Sequence, residues 1–132
     1  MDILQQWLAR KTSHYSCLKE PMTASHTFYK IAGPHSLFGQ VTLVAQPAET
    51  FSFASQVTWP LQVNYDIYVL DGILDTLVMC EHRPVLGAQF TLESIEWHEI
   101  NSVPIGYYYA AKEAARKILR LAESPGNVVV NR

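Results

Sequence analysis

The chain has few charged residues and no large excess of either sign, which narrows the functions open to it. Only 17% of its 132 residues are Asp, Glu, Lys or Arg, and the formal net charge is -2. A protein that binds nucleic acid through phosphates needs a basic surface, so such binding here would depend on a local patch. The sequence also has no run of about 20 apolar residues, so we predict neither a transmembrane helix nor a membrane partner.

Cysteine is scarce too, and the motifs that hold metals and nucleotides are missing. Cys17 and Cys80 stand alone, without the paired spacing of a zinc site. Isolated cysteines in a chain that begins without an apolar leader are typical of a reduced, cytoplasmic protein. No glycine-rich loop carries a lysine that would contact nucleotide phosphates. We therefore predict no metal site, no cofactor and no bound nucleotide.

Apolar residues, by contrast, make up 48% of the chain, enough to form one core in 132 residues. We predict a single domain over residues 1–132. Residues 1–24 form an N-terminal helix and a connection, residues 25–122 form the core, and residues 123–132 form a C-terminal tail. The N-terminal helix is short and amphipathic, and it packs either on the domain or on a partner. Its apolar face consists of Ile3, Leu4, Trp7 and Leu8.

Three stretches in the first half of the chain have the composition and alternation of strands. Residues 25–31 and residues 39–46 form the first two, and the turn-rich residues 32–39 form a loop between them. Residues 51–59 show the most regular alternation in the chain and form the third. Because short links join the three strands, we predict an antiparallel meander.

Apolar residues spaced by three and four then predict two helices, one on each side of a fourth strand. The first helix opens at Pro60 and has Leu70 and Leu74 in the middle of its apolar stripe. The second helix opens near Pro104. Its stripe consists of Ile105, Tyr108, Ala111, Ala115, Ile118 and Ala122.

The fourth strand begins at Pro84 and alternates with a period of two. The residues on its core face are Leu86, Ala88, Phe90 and Leu92. The order of elements is three strands, a helix, a strand and a helix. This order predicts an α+β fold, in which a four-stranded, mostly antiparallel sheet has two helices packed on one face.

A distinctive motif leads into the second helix. It consists of Trp97, His98, Glu99, Ile100, Asn101, Ser102, Val103 and Pro104, followed by Gly106 and the pair Ala110 and Ala111. This motif resembles domain IV of translation elongation factor G and elongation factor 2. The family pattern is aromatic, His, acid, aliphatic, then Asp-Ser-Ser-Glu, then an apolar helix with paired alanines. The first four positions are kept and three of the polar ones differ. The resemblance implies the family's fold over roughly residues 25–122.

The predicted loop at residues 32–39 extends this resemblance. Gly33, Phe38 and Gly39 match the family, and His35 stands where the family has an arginine. In the elongation factors the matching loop is a glycine-rich, basic tip that enters the decoding centre of the ribosome. The resemblance therefore implies a binding tip in this chain. The residues implied to form it are His35, Phe38, His98, Asn101 and Ser102.

An acid-base site at Glu96, His98 and Glu99 is a catalytic alternative for the same region. A carboxylate beside an imidazole can hold its tautomer and tune its pKa. On a strand, however, Glu96 and His98 share a face while Glu99 points away, and no nucleophile accompanies them. We therefore predict no enzymatic activity.

These observations favour a non-catalytic binding module. The leading hypothesis is an accessory of translation that contacts the ribosome or another structured RNA through the tip. The alternative is a protein-interaction or homodimerisation module that has kept the fold and lost RNA binding. A positive surface at the tip would favour the first hypothesis, and an exposed apolar patch would favour the second.

Overall fold

Five strands and two helices form in the part of the chain that this computed structural model describes, residues 16–78 and 85–122. The strands are β1 (Ser16–Cys17), β2 (Met22–Ala32), β3 (His35–Pro47), β4 (Ser52–Ser55) and β5 (Val85–Glu96). The helices are α1 (Asp66–Val78) and α2 (Pro104–Ala122). The predicted α+β class is confirmed.

The sheet is mixed and mostly antiparallel, with β3 and β5 at its centre. β3 pairs antiparallel with β2 on one side and with β5 on the other. β1 and β4 both pair parallel with β5 along its remaining edge, β1 near Val85 and β4 from Gln89 to Leu92. The two short strands therefore share one position, and the sheet is four strands wide. α2 covers β2 and β3, while α1 packs mainly on α2.

The predicted meander is wrong at its third strand. Within residues 51–59 only β4 is a strand, and it pairs with β5 rather than with β3. A period of two says which residues share a face but does not identify the neighbouring strand. Parallel pairing also needs a long crossover, which α1 supplies between β4 and β5. Two residues of the predicted connection, Ser16 and Cys17, also join the sheet as β1.

The predicted loop at residues 32–39 is also wrong, because most of it belongs to β3. The register of the hairpin runs without a break from Met22 opposite Ala45 to Ala32 opposite His35. The turn is only Gly33 and Pro34, with Gly33 at a φ of 63°, a left-handed conformation that glycine adopts at little cost. Pairing with β5 ends at Gln40, so the hairpin extends roughly 17 Å beyond it.

A bulge in β5 changes which residues of that strand face the helices. Ser94 lies opposite Thr42 and Leu92 lies opposite Leu43, so Glu93 has no partner on β3. Phe90 and Leu92 are buried before the bulge, as predicted. After it, the odd-numbered residues Ile95 and Trp97 pack against the core.

α1 begins six residues later than predicted, and it turns a different face to the core. Pro60–Gln62 is a short 3-10 turn, and α1 starts at Asp66. Leu70 and Leu74, predicted at the centre of the stripe, are only half-buried. The buried residues of α1 are Val69, Gly72, Ile73, Thr76 and Leu77. Apolar residues occur on several sides of α1, so spacing alone did not identify the side that packs on α2.

α2 follows its predicted stripe at the centre but not at its start. Ala111, Ala115 and Ile118 are buried as predicted, whereas Ile105 is exposed and Tyr108 is half-buried. The other buried residues are Tyr107, Ala110, Ala114 and Leu119. Neither helix in the described part of the chain is long and apolar enough to cross a membrane. The predicted N-terminal helix and C-terminal tail, together with Cys80, lie outside the described residues.

Candidate functional site

Two segments meet at one end of the sheet, the β2–β3 hairpin and the connection from β5 to α2. The Phe38 N–H donates to the Asn101 carbonyl at 2.8 Å, and the Val103 N–H donates to the Phe38 carbonyl at 3.3 Å. Phe38 thus forms a strand-like bridge beside Ser102. These backbone bonds hold the connection against the hairpin.

Side chains close the connection into a tight turn. The His98 N–H donates to Ser102 Oγ at 2.8 Å, and the Ser102 N–H donates to the His98 carbonyl at 2.9 Å. Asn101 Nδ2 lies 3.3 Å from His98 Nδ1, and the rings of Phe38 and His98 are 5.7 Å apart between centroids. The structure therefore brings together four of the five residues implied by the resemblance.

Tyr107 connects this turn to the core, and sequence reasoning missed it. Its hydroxyl donates to the Glu96 carbonyl at 2.8 Å and lies 2.9 Å from Ser102 Oγ. Since the tyrosine proton is used on Glu96, the Ser102 hydroxyl donates to Tyr107. Burial raises the pKa of Tyr107 above its ordinary value, which already lies well above neutral pH, so this hydroxyl is a donor at neutral pH. The run of three tyrosines in α2 predicts that at least one is buried, but it does not say which.

A contact between two glycines holds the start of α2 on β3. A Cβ atom on Gly39 would lie 2.2 Å from the Gly106 carbonyl carbon, and one on Gly106 would lie 2.2 Å from the Phe38 carbonyl oxygen. Any side chain at either position would therefore separate the two backbones. This close approach turns Tyr107 inward and fixes the position of the His98 turn relative to the hairpin.

His35 belongs to the same end of the sheet but not to this cluster. It is the first residue of β3, opposite Ala32, and it is exposed. The strand is regular from His35 to Phe38, so the two side chains point to opposite faces. They are also separated by roughly 10 Å along the strand. We find His98 beside Phe38 and Asn101, with His35 outside that group.

Several apolar side chains at this end are exposed. Tyr29 is 56% exposed and Ile31 is 69% exposed, and both lie on the face of the sheet that the helices leave open. Ile100, in the turn after β5, is 86% exposed. We call these residues, together with Phe38 and His98, the tip surface.

The tip surface is not positively charged. Lys30 is the exposed lysine of the hairpin end, and it lies on the opposite face of β2 from Tyr29 and Ile31. Glu96 and Glu99 are exposed on the other segment. Their two negative charges outnumber the single lysine.

The chemistry of the cluster is that of hydrogen bonding and packing. The hydrogen-bond partner of the His98 ring is the Asn101 amide rather than Glu96 or Glu99. Within residues 16–78 and 85–122, no group of three or more His, Cys, Asp or Glu side chains is arranged to hold a metal ion.

Comparisons with known proteins bear on the fold. No family model and no curated protein matches this chain. A protein of known structure from Thermus thermophilus matches 76% of the chain with a TM-score of 0.68 and 24% sequence identity. That protein is elongation factor G-like. The chain shares the fold of one part of it, and it corresponds to only 16% of that protein's length. The likeness therefore concerns the fold and not the activity of the whole protein.

Proposed function

We propose that this protein is a non-catalytic binding module whose tip surface binds another protein. The observation that carries the proposal is the exposure of Tyr29, Ile31 and Ile100 at one end of the domain. Large apolar side chains grouped on a surface with polar surroundings are typical of protein contacts. No metal, cofactor, nucleotide or membrane is part of this function.

Hydrogen bonds join the two segments of the tip surface. Backbone bonds from Phe38 to Asn101 and Val103 join the two segments, and the His98–Ser102 pair closes the turn that carries Ile100. A surface held in its binding conformation loses less conformational entropy when a partner docks. The Tyr29 hydroxyl, which donates to Ser36 Oγ at 3.2 Å, adds a cross-strand bond inside the hairpin.

Contact with the ribosome or a structured RNA is the second candidate. It is supported by the fold shared with part of an elongation factor G-like protein, and by the aromatic side chains Tyr29 and Phe38, on which bases could stack. The charge at the tip argues against it, because phosphate binding depends on cations and the glutamates here outnumber the lysine. The protein contact is therefore the better-supported proposal.

The test combines Ile31→Ser with Ile100→Ser in one variant. Both side chains are exposed, so we expect the free energy of unfolding to change by less than about 1 kcal/mol. Partners captured from native cells with the wild-type chain are purified and titrated directly. We expect the variant to bind at least about tenfold more weakly. Ile67→Ser, at an exposed isoleucine on α1, is the matched control and should bind normally.

A parallel titration with structured RNA and purified ribosomal subunits, at two salt concentrations, separates the two candidates. The RNA candidate would replace the protein proposal under three conditions. RNA binding would have to weaken with salt, be lost in a variant that combines His35→Ala with His98→Ala, and survive the isoleucine changes. The proposal would be supported if a purified protein partner binds the wild-type chain and the other variants but no longer binds the isoleucine variant.

A further inference from the structure

In the described part of the chain, β2 forms one edge of the sheet, and this edge is free except at the Ser25 carbonyl. In the part of the chain that the structure describes, its 11 residues pair with β3 on one side and with no strand on the other. The strand has no bulge against β3, contains no proline, and carries one lysine, Lys30. Long, regular edges with few charges are the ones that accept an additional strand. Tyr29 and Ile31 of the tip surface lie on this same strand.

Along its first half, this edge borders a cationic groove. The groove has a volume of about 480 Å³ and lies between β2 and the last turns of α2. Its lining residues are Thr23, Ala24, Ser25, Lys117, Arg120 and Leu121. Lys117 Nζ donates to the Ser25 carbonyl at 2.8 Å, so at this residue the backbone bonds to a side chain from α2.

We propose that the free edge of β2 binds an extended segment of the partner protein as an added strand, with acidic residues in that segment. Side chains of a strand alternate between two faces. On the face that the helices cover, acidic residues would meet Lys117. On the open face, apolar residues would pack beside Tyr29 and Ile31. This inference rests on the proposed function, since it specifies how a protein partner docks.

The charge of the groove distinguishes this occupant from two others. A second copy pairing through its own β2 would bring another Lys117 and no acidic side chain to this edge, because β2 contains no Asp or Glu. The last six residues of this chain, from Asn127 to Arg132, contain three valines but no acid. As an added strand they would bring no acidic side chain to Lys117. An acidic strand from a partner is the occupant that complements it.

The experiment uses an eight-residue peptide of alternating Val and Glu, titrated into the full chain by fluorescence anisotropy. Two control peptides replace Glu with Lys, or carry N-methyl groups on alternate residues so that one edge cannot pair. We expect the Val-Glu peptide to bind and both controls to bind at least about tenfold more weakly, since strand addition depends on backbone bonds and on charge. Failure of the Val-Glu peptide to bind, or equal binding of the N-methylated peptide, would overturn the proposal.

Protein variants then locate the site. Lys117→Glu should weaken Val-Glu binding about tenfold, a change of roughly 1.4 kcal/mol, and should strengthen Val-Lys binding. Lys112→Glu, the same charge change on the other side of α2 beside Tyr108, should leave both affinities within about twofold. Equal effects of the two substitutions would show a general charge effect and overturn the assignment.

Three further measurements test the other occupants and the link to the proposed function. A concentration-dependent dimer in light scattering that the Val-Glu peptide dissociates would assign the edge to a second copy. Binding of the peptide to Val129→Pro but not to the wild-type chain would assign it to the C-terminal tail. A purified partner is then tested against two variants. If it no longer binds the variant with Ile31→Ser and Ile100→Ser but binds Lys117→Glu normally, the proposed function holds and strand addition fails.

Discussion

The two helices contrast in how they use their apolar residues. α2 buries a continuous stripe of small residues, among them Ala110, Ala111, Ala114 and Ala115. α1 has apolar residues on more than one side, and it leaves Ile67 58% exposed and Leu70 half-buried. A narrow stripe of small residues therefore specifies which side of a helix packs. When apolar residues lie on several sides, contacts with the neighbouring element determine which side is buried.

The seam between the helices is where that choice is made. Gly72 of α1 faces α2 so closely that a Cβ atom would lie 2.4 Å from the Tyr108 carbonyl oxygen. The Thr76 hydroxyl lies within hydrogen-bond distance of the Gly72 and Lys112 carbonyls, at 3.0 and 3.1 Å. The Tyr108 hydroxyl donates to Asp75. Close backbone approach and these polar contacts select the face of α1 that packs.

The most direct test of this seam is Gly72→Ala, for which helix propensity and steric clash predict opposite signs. Helix propensity alone would stabilise the protein by about 1 kcal/mol. The clash with the Tyr108 carbonyl would instead force the helices apart, at a cost of about 3 kcal/mol, the upper end of the usual cost of overpacking. We expect a net loss of stability in urea unfolding. Asp71→Ala, at the exposed neighbouring position, is the control, and a stabilised Gly72→Ala would refute the close seam.

The next prediction compares the stability lost when two adjacent side chains of α1 are truncated. Ile73 is fully buried, so Ile73→Ala should lower the free energy of unfolding by roughly 2 to 5 kcal/mol through lost burial and a cavity. Leu74 is half-buried on the other side, so Leu74→Ala should cost about 1 kcal/mol. The two variants are compared by chemical denaturation. A larger cost for Leu74→Ala would restore the stripe predicted from spacing alone.

The smallest effect concerns the hydroxyl that links the helices. The hydrogen bond to Asp75, helped by burial, raises the pKa of Tyr108 to about 12. Because the folded pKa exceeds the ordinary value near 10, this stabilisation is fully present below about pH 10 and is lost as pH rises through about 12. Tyr108→Phe should cost about 1 kcal/mol at neutral pH.

This last prediction is checked by measuring the free energy of unfolding between pH 9 and 12. That range covers the window between the ordinary and the raised pKa of Tyr108. The wild-type chain should lose more stability over that window than Tyr108→Phe does. Tyr109→Phe, at the next residue of α2, is the control and should follow the wild-type curve. Parallel curves for the wild-type chain and Tyr108→Phe would mean that the bond to Asp75 does not link the helices.

The candidate site was partly predictable. The motif around His98 and the match at Phe38 identified two segments by resemblance, and the structure joins them through the bonds of Phe38. His35 lies apart because the turn is only two residues long, so β3 already begins at His35 and the period of two sends its side chain to the opposite face from Phe38. Tyr107 was missed because its inward rotation depends on the contact between Gly39 and Gly106.

The sequence by itself determined the α+β class, the alternation of β5 up to Leu92 and the alanine stripe at the centre of α2, because period and composition act over a few neighbouring residues. The tertiary structure decided the partner of β4, the bulge at Glu93 and the buried face of α1. Each of these depends on contacts between residues far apart in the chain. A local pattern leaves such contacts open, and close packing of backbones and side chains selects among them.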